Sequence, residues 1–345
     1  MKKYLLNHSL EELKAWAASV GEPGFRAKQI IEWLYAKATS DIQKMTNLSV
    51  TLRQKLEAEF DVTPIALARI QESDDGQTRK FLWKLHDEKL VESVLIEAPD
   101  RYTVCVSSQV GCPARCAFCA SGREGLIRNL EVGEIFAQVY HINQWLLQRG
   151  QKVTHIVYMG MGEPFRNYDN VVKSIRYLID PEMMGFSQRR ITVSTVGVVE
   201  GIKQYSEEGL KTNLVLSLHA PNQRLRQKLI PYARQYSLES ILDAMDGYAE
   251  KTGRDITYEY TLIKDLNDGE DEAKELVQLL KLKQCTVNLI PYNPVIGLKI
   301  EKPDPQSVRR FREILTDGDI VNTCRYTKGD DIAAACGQLA MQHKL

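Results

Sequence analysis

The sequence lacks the features that would place this chain in a membrane. Its 345 residues contain no run of about 18 apolar residues, the length that a membrane-spanning helix needs. Residues 1–6 include two lysines but no apolar stretch of the kind found in a signal peptide. We therefore expect a soluble, cytoplasmic protein without a membrane partner.

The chain also lacks an excess of either charge, because 45 Lys and Arg residues balance 45 Asp and Glu residues. Bulk charge does not indicate a nucleic-acid partner, so any basic surface must be local. Three clusters of basic residues occur in the sequence. Clusters of this kind are more often solvated helix faces than RNA contacts, and both interpretations stay open here. The clusters are Arg189 and Arg190; Arg224, Arg226 and Lys228; and Arg309, Arg310 and Arg312.

Low-complexity tracts and short repeats are absent, while 43% of the residues are apolar. A chain of this size can bury one large core and carry an appendage. Residues 1 to about 75 show helical apolar spacing at 25–36 and 52–60, with breakers at Gly21 and Pro23. They predict a small helical module, for which a packing role and a nucleic-acid-binding role both remain open.

The rest of the chain alternates between strand-like and helix-like segments. Residues 80–97 hold two apolar runs around a polar turn, which predicts a hairpin. Six alternations follow, and they predict an α/β barrel or partial barrel with helices outside parallel strands. The predicted strands are 103–107, 153–159, 191–195, 213–218, 256–263 and 286–290. The predicted helices include 132–147, 171–179, 238–251 and 271–282.

The sequence contains only seven cysteines, which is an odd number. Without an export signal, metal binding or catalysis is favoured over a disulfide framework. Cys112, Cys116 and Cys119 form a CxxxCxxC motif in a loop after the first predicted strand, and no further Cys or His follows within twenty residues. Three thiolates suit an iron–sulfur cluster with one open iron, whereas zinc usually takes a fourth ligand. The remaining cysteines are Cys105, Cys285, Cys324 and Cys336.

Polar or glycine-rich segments follow the other predicted strands, at 160–164, at Ser194, at 217–219 and at 293–294. In a barrel of parallel strands the active site lies at the carboxyl-terminal rim, so one site is expected from these loops. The MGMGEP loop at 159–164 has Phe165 where a dinucleotide fingerprint needs its third glycine, which excludes that motif.

CxxxCxxC in the first loop of such a barrel resembles the radical S-adenosylmethionine (SAM) superfamily. The resemblance implies a [4Fe–4S] cluster on Cys112, Cys116 and Cys119, with SAM bound at the open iron and cleaved to a 5′-deoxyadenosyl radical. It also implies a cofactor pocket in which the MGMGEP loop binds the SAM ammonium group. Its residues are Gly162, Glu163, Ser194, Ser217, Leu218, His219 and Asn293.

Longer motifs resemble the RlmN/Cfr family of rRNA adenosine methyltransferases over essentially the whole chain. They are SSQVGC at 107–112, RNL at 128–130, MGMGEP, SLH at 217–219 and GDDIAAACGQL at 329–339. The implied fold is a partial (β/α)6 radical SAM barrel with an N-terminal helical accessory domain. The implied divisions are an RNA-contacting domain at 1–75, a connecting hairpin at 76–97, the radical SAM core at 98–331 and a C-terminal segment at 332–345.

The resemblance also implies roles for three residues whose pattern alone leaves them ambiguous. Cys336 and Cys105 could each be core cysteines, and Glu92 could be a solvent-facing strand carboxylate. By the resemblance, Cys336 carries a methyl group from one SAM, and a second SAM generates the radical that activates it. Cys105 then releases the RNA through a transient disulfide, and Glu92 accepts a proton.

The implied substrate is adenosine 2503 of 23S rRNA, and adenosine 37 of tRNA is left open as a further substrate. Pro164 in the GEP loop and the GDDIAAACGQLA tail favour methylation at C2 over the C8 chemistry of the Cfr branch. The resemblance further implies a monomer and a flavodoxin- or ferredoxin-type electron donor. A radical SAM enzyme acting on a small molecule and a non-enzymatic metal-binding module are the alternatives.

Overall fold

The computed structural model describes residues 2–37, 39–325 and 328–340. The described residues up to 62 form a helical unit with a core of its own, which includes Leu13, Trp16, Ile30 and Leu56. The first helix starts at Ser9, whose side chain forms a capping box with Glu12. The elements are β1 (Lys3–Tyr4), α1 (Leu10–Ser19), α2 (Phe25–Ile31), α3 (Val50–Glu59) and β2 (Phe60–Asp61).

The expectation that the chain is helical as far as residue 75 is wrong at its end. Residues Ile65–Glu72 form a strand, β3, at one edge of the main sheet. Its apolar and polar residues alternate poorly, and a bulge between Leu67 and Arg69 shifts the register, so the period of two is hidden in the sequence. The division into four domains stays a prediction.

The predicted hairpin is present and extends the sheet rather than merely connecting two units. It consists of β4 (Thr78–Leu85) and β5 (Leu90–Ala98), which pair antiparallel. β5 also pairs antiparallel with β6 (Arg101–Cys105), the first strand of the barrel. A short antiparallel pair that the sequence did not reveal follows, namely β7 (Gln109–Gly111) and β8 (Leu126–Asn129).

From β6 onward the neighbouring strands of the main sheet are parallel, as predicted. The further strands are β9 (His155–Tyr158), β10 (Ile191–Thr195), β11 (Asn213–Ser217), β12 (Ile256–Leu262), β13 (Cys285–Pro291) and the unpredicted β14 (Asn322–Cys324). The α/β partial barrel is therefore confirmed, with its edges at β14 and β3 in the described part of the chain.

Helices separate the parallel strands and pack on the sheet through apolar faces that join one continuous core. They are α4 (Val132–Leu147), α5 (Tyr168–Ile179), α6 (Val199–Glu207), α7 (Gln223–Leu229), α8 (Leu238–Thr252), α9 (Glu270–Leu280) and α10 (Pro305–Asp317). None of the helices in the described ranges is long and apolar enough to span a membrane.

Candidate active site

Two cavities adjoin each other in the barrel: the loop cavity lies at the carboxyl-terminal ends of the parallel strands, and the thiol cavity extends along β6 from Cys105 back to Arg101. The loop cavity has a volume of about 130 Å³, and its wall includes Cys112, Cys116, Cys119, Gly162, Glu163, Ser194, Ser217, His219 and Asn293. The thiol cavity has a volume of about 340 Å³ and is lined by Cys105 and Cys336. Cys119, Gly160, Asn293 and Cys336 belong to both walls. The structure thus brings most of the predicted site residues together.

The loop that carries the three cysteines lies between β7 and β8 and is fixed at both of its sides by backbone hydrogen bonds. The amide of Ala117 donates to the carbonyl of Leu229 at 2.8 Å, and the amide of Ala120 donates to the carbonyl of Gly337 at 2.7 Å. The first bond ties the loop to the end of α7, and the second ties it to the segment that contains Cys336.

Burial raises the pKa of all three cysteine thiols, to about 12 for Cys112 and well above its usual value for Cys116. The thiols are therefore neutral until a metal displaces their protons. No group of three or more His, Cys, Asp or Glu residues within the described ranges is arranged to hold a metal ion. The fit to an iron–sulfur cluster accordingly rests on three thiol donors sharing one cavity wall.

The MGMGEP loop approaches the segment after β6 too closely for a side chain at Gly162. This glycine has a φ of 111°, and a Cβ there would lie 2.7 Å from Oγ of Ser108. The side-chain carbonyl of Gln109 accepts a hydrogen bond from the amide of Glu163 at 2.8 Å. The SSQ motif at 107–109 therefore packs against the MGMGEP loop and holds the backbone of that loop in the cavity wall.

Glu163 is buried, and its carboxylate connects the loop to the end of β10. It accepts hydrogen bonds from the amide of Phe165 at 3.0 Å, from the hydroxyl of Thr195 at 2.8 Å and from the amide of Val196 at 2.8 Å. Burial raises the pKa of Glu163 to about 7, although these hydrogen bonds oppose the rise. The carboxylate predicted to meet an ammonium group is thus already oriented by three donors.

Two serines at the ends of neighbouring strands face each other across the loop cavity. Ser194 is the second-to-last residue of β10 and Ser217 is the last residue of β11, and their hydroxyl oxygens lie 3.2 Å apart. Each hydroxyl can donate and accept, so the pair can bind a ligand hydroxyl without a net charge.

His219 follows β11 in a left-handed conformation, with a φ of 56°. Its Nδ1 accepts a hydrogen bond from the amide of Thr261 at 2.9 Å, which requires the ring proton to be on Nε2. Burial lowers the pKa of His219 to about 3, so the ring is neutral. Its centroid lies 4.9 Å from that of Phe118, an edge contact that joins the SLH segment to the cysteine loop.

Leu218 is fully buried and is absent from the walls of both cavities. Its carbonyl accepts a hydrogen bond from Nε of Arg226 at 3.1 Å. Arg226 also donates to the carbonyls of Val196 and Ser217, at 2.6 and 3.0 Å. Because the side chain of Arg226 is wholly enclosed, its interpretation as an RNA contact is wrong. It instead joins the loops after β10 and β11.

Cys105 ends β6, whereas Cys336 comes from the segment 328–340, and both face the thiol cavity. Cys105 is half-buried, whereas Cys336 keeps accessible surface where it lines the cavities although protein atoms surround its thiol. Burial and then the nearby Cys336 raise the pKa of Cys105 above its usual range. Burial and Glu259 likewise raise the pKa of Cys336, and a side-chain hydrogen bond with Arg325 opposes that rise. The amide of Asn293 donates to the carbonyl of Cys336 at 3.2 Å.

Glu92 lies on β5, outside the walls of both cavities. Solvent exposure, which the strand pattern alone suggested, is wrong, because only 1% of its surface is accessible. Its carboxylate forms an ion pair with Lys80 at 3.0 Å and accepts a hydrogen bond from the amide of Ala340 at 3.0 Å. Glu92 is thus held against the same segment that carries Cys336.

Sequence reasoning missed two charged groups of the site. Glu259 is the one charged residue of β12 and lines the loop cavity. Arg325 follows β14 and lines the thiol cavity. The charge inside the YEY sequence at 258–260 was the available signal for Glu259. Arg325 had none, since the strand before it was not predicted.

Family models match two parts of this chain. The model for the ribosomal RNA large subunit methyltransferase N-terminal domain matches residues 3–62, and the model for the radical SAM superfamily matches residues 106–280. A crystal structure of a radical SAM methyltransferase from Sphaerobacter thermophilus superposes with a TM-score of 0.96 at 43% identity. The match covers 98% of this chain and 99% of that one.

Curated relatives extend the similarity to nearly the full length. A probable dual-specificity RNA methyltransferase RlmN 2 of Protochlamydia amoebophila is 60% identical over 97% of this chain and 93% of its own. A probable dual-specificity RNA methyltransferase RlmN of Dictyoglomus turgidum is 46% identical over 97% of this chain and 96% of its own.

The barrel, the cysteine loop and the family match define a radical SAM enzyme, whose cofactors are a [4Fe–4S] cluster and S-adenosylmethionine. Within that superfamily, the chain belongs to the RlmN family of methyltransferases. The resemblance seen in the sequence is thereby confirmed. The individual roles of the site residues stay predictions.

Proposed function

We propose that this chain methylates C2 of adenosine 2503 in 23S rRNA and, as a second substrate, adenosine 37 in tRNA. The observation that carries the proposal is the placement of Cys105 and Cys336 in one cavity that adjoins the cysteine-loop cavity. The words "dual-specificity RNA methyltransferase" in the names of the relatives support RNA as the substrate and support two targets.

C2 of adenine is an electrophilic amidine carbon, so direct displacement from a sulfonium cannot methylate it. One thiol is needed to carry the methyl group, and a second is needed to release the product. Cys336 therefore first takes the methyl group itself, through its thiolate. When bound, the cluster and a second S-adenosylmethionine would supply a radical able to take a hydrogen atom from this S-methyl group. The methylene carbon on Cys336 then bonds to C2 of the adenine; the adduct gives up its unpaired electron, which the oxidised cluster would accept, and the proton from C2, which leaves RNA bonded to the protein.

Release of the product is assigned to Cys105 and Glu92. The thiolate of Cys105 attacks the sulfur of Cys336, so a disulfide forms while the carbon–sulfur bond to the RNA breaks. Glu92 accepts the proton lost from the adenine. The contact of Glu92 with the backbone of Ala340 supports this role, since it couples the carboxylate to the segment that bears Cys336.

The decisive experiment is mass spectrometry of rRNA and tRNA from a strain that lacks this gene, complemented with wild type or with Cys336→Ala. Wild type should restore 2-methyladenosine at both positions, and the variant should restore none while keeping the absorbance of the cluster. Methylation by the variant would refute the S-methylcysteine route. A product methylated at C8 would replace the C2 assignment, and a deletion that leaves both RNAs unchanged would refute RNA as the substrate.

A matched variant, Cys105→Ala, tests the release step. It should accumulate a covalent protein–RNA species that survives a denaturing gel, because the adduct forms but its sulfur is not attacked. Cys285→Ala is the control, since Cys285 lies at the start of β13, away from both cavities. Only free RNA in the Cys105→Ala reaction would contradict a resolving role.

A further inference from the structure

The charged residues that line the thiol cavity are all basic. Its wall includes Arg101, Arg325 and Lys328, and among the lining residues there is no carboxylate. In a chain with equal numbers of acidic and basic residues, this is a local concentration of positive charge. The cavity that holds the two thiols is therefore suited to an anionic ligand.

Two of these cations have no carboxylate partner in the described ranges. Arg325 lies 3.7 Å from Glu259. By contrast, Arg101 donates only to the hydroxyl of Thr103, at 3.2 Å. Lys328 donates to two neutral acceptors, the side-chain carbonyl of Gln77 at 3.0 Å and the backbone carbonyl of Glu97 at 3.3 Å.

Two acidic residues close to these cations stand outside the cavity wall. The carboxylate of Glu97 is paired with Arg79. Hydrogen bonds from Ser73 and Gln77, and then the charge of Lys328, lower the pKa of Asp75. Neither carboxylate lines the thiol cavity.

The positive charge continues beyond the cavity along the amino-terminal ends of three strands. Thr103 of β6 pairs with His155 of β9, and the register of β9 with β10 places Arg190 beside His155. Both Arg101 and Arg190 lower the pKa of His155, after burial, which places the two guanidinium groups around one ring. Arg190 is exposed and has no ion pair in the parts of the chain described.

Some of the other basic residues singled out in the sequence are enclosed or paired. Arg226 is buried. Arg310 is paired with Glu270 at 3.1 Å and with Glu313 at 3.4 Å. Other exposed cations, such as Arg309, have no ion pair among the described residues either, but they do not line the thiol cavity, whereas Arg101 and Lys328 do.

We propose that Lys328, Arg101 and Arg190 form a phosphate-binding tract for the backbone of the RNA substrate. This rests on the proposed function and names the surface that function needs. Arg101 and Cys105 lie on the same face of β6, four residues apart, which corresponds to about 13 Å along the strand. The tract thus begins about 13 Å from Cys105, and it contacts the backbone of the strand from which the target adenine is extruded into the cavity.

The test measures binding of a hairpin that contains adenosine 2503 to the cluster-loaded enzyme at increasing salt. For a single strand, each lost phosphate contact reduces the slope of log K against log [salt] by about 0.7. The triple variant Arg101→Gln/Arg190→Gln/Lys328→Gln should therefore reduce the slope by about 2, and each single variant by about 0.7. The affinity for S-adenosylmethionine and the absorbance of the cluster should not change.

The matched control is Lys274→Gln/Arg309→Gln/Arg310→Gln, which removes three exposed cations from α9 and α10. It should keep the wild-type slope. A triple tract variant with the wild-type slope, or a control variant with the same loss, would overturn the tract. Failure of the wild-type enzyme to bind or methylate the hairpin would instead refute RNA as the substrate.

Discussion

At the residue scale, His219 both lines the loop cavity and connects the strand and the loop on either side of it. Asn and His are among the few residues that adopt left-handed backbone conformations readily, and His219 needs one to leave β11. Its ring then accepts from Thr261 on the next strand and contacts Phe118 of the cysteine loop. The neutral ring is essential to this arrangement, because a proton on Nδ1 would face the Thr261 amide.

We expect His219→Asn to weaken the pH dependence of folding. The folded pKa of His219 is about 3 and its ordinary value is 6.5, so the unfolded chain binds the extra proton between these pH values. Wild type is fully stabilised above pH 6.5 and loses up to about 5 kcal/mol from this group as the pH falls toward 3. Asn can still accept from Thr261 and does not titrate.

Urea unfolding of the two proteins at several pH values between 7 and 4 measures the difference. Other groups titrate equally in both proteins, so the change in the free energy of unfolding isolates His219. The same pH dependence in both would show that folding does not lower the pKa of His219.

At the element scale, the segment 328–340 has little regular structure and is held by side-chain contacts. The side chain of Gln338 accepts from the amide of Ala335 at 3.0 Å and donates to the carbonyl of Pro294 at 2.8 Å. The hydroxyl of Ser121 donates to the carbonyl of Leu339 at 2.7 Å. These bonds fix the turn that presents Cys336.

Gln338→Leu should loosen this turn while keeping the volume of the side chain. Gln338 also donates to the carboxylate of Asp330, so the variant loses three hydrogen bonds. At about 1 kcal/mol each the loss costs about 3 kcal/mol, which corresponds to roughly 150-fold faster local opening. Hydrogen exchange of residues 329–340 and alkylation of Cys336 by iodoacetamide should both accelerate, with the barrel unchanged. Gln148→Leu, on the exposed end of α4, is the control, and equal rates in the two variants would argue against Gln338 as the clamp.

The sequence predicted the bounds of strands and helices that are well buried in the main core, and it missed short strands and strands at the edges of the sheet. The bounds 191–195 of β10 and 132–147 of α4 were predicted as the structure has them, because a central strand and a covering helix have a clear apolar period. The edge strands β3 and β14 and the strand β8 have few buried residues on which a period could appear, and β7 is buried but only three residues long. Their pairing depends on neighbours far away in the chain.

At the scale of the whole molecule, one asparagine joins the helical unit to the barrel. Asn7 accepts from the amide of Gly133 at 2.8 Å and donates to Glu131 at 2.8 Å, so it satisfies the first turn of α4. A Cβ on Gly133 would lie 2.2 Å from Oδ1 of Asn7. The contact between Asn7 of the helical unit and Gly133 of α4 therefore leaves no space for a methyl group.

Gly133→Ala should push the helical unit away from α4 and destabilise the protein by about 1–3 kcal/mol. Thermal unfolding should begin earlier, and limited proteolysis should cut first within residues 1–62. Gly247→Ala is the matched control, because a Cβ at this position of α8 has open space and Ala favours a helix by up to about 1 kcal/mol. Equal stability of both variants would disprove the close contact.

The sequence by itself determined the parallel α/β class and the three cysteines proposed to hold the cluster. Both are recorded locally, the first in the period of apolar residues and the second in the spacing within one loop. Only the tertiary structure decided which charges are enclosed and which are free. Arg226 and Glu92 are buried by segments distant in the chain, whereas Arg101 and Lys328 lack a carboxylate partner in the described residues. Burial and pairing depend on those distant neighbours, and no local pattern encodes them.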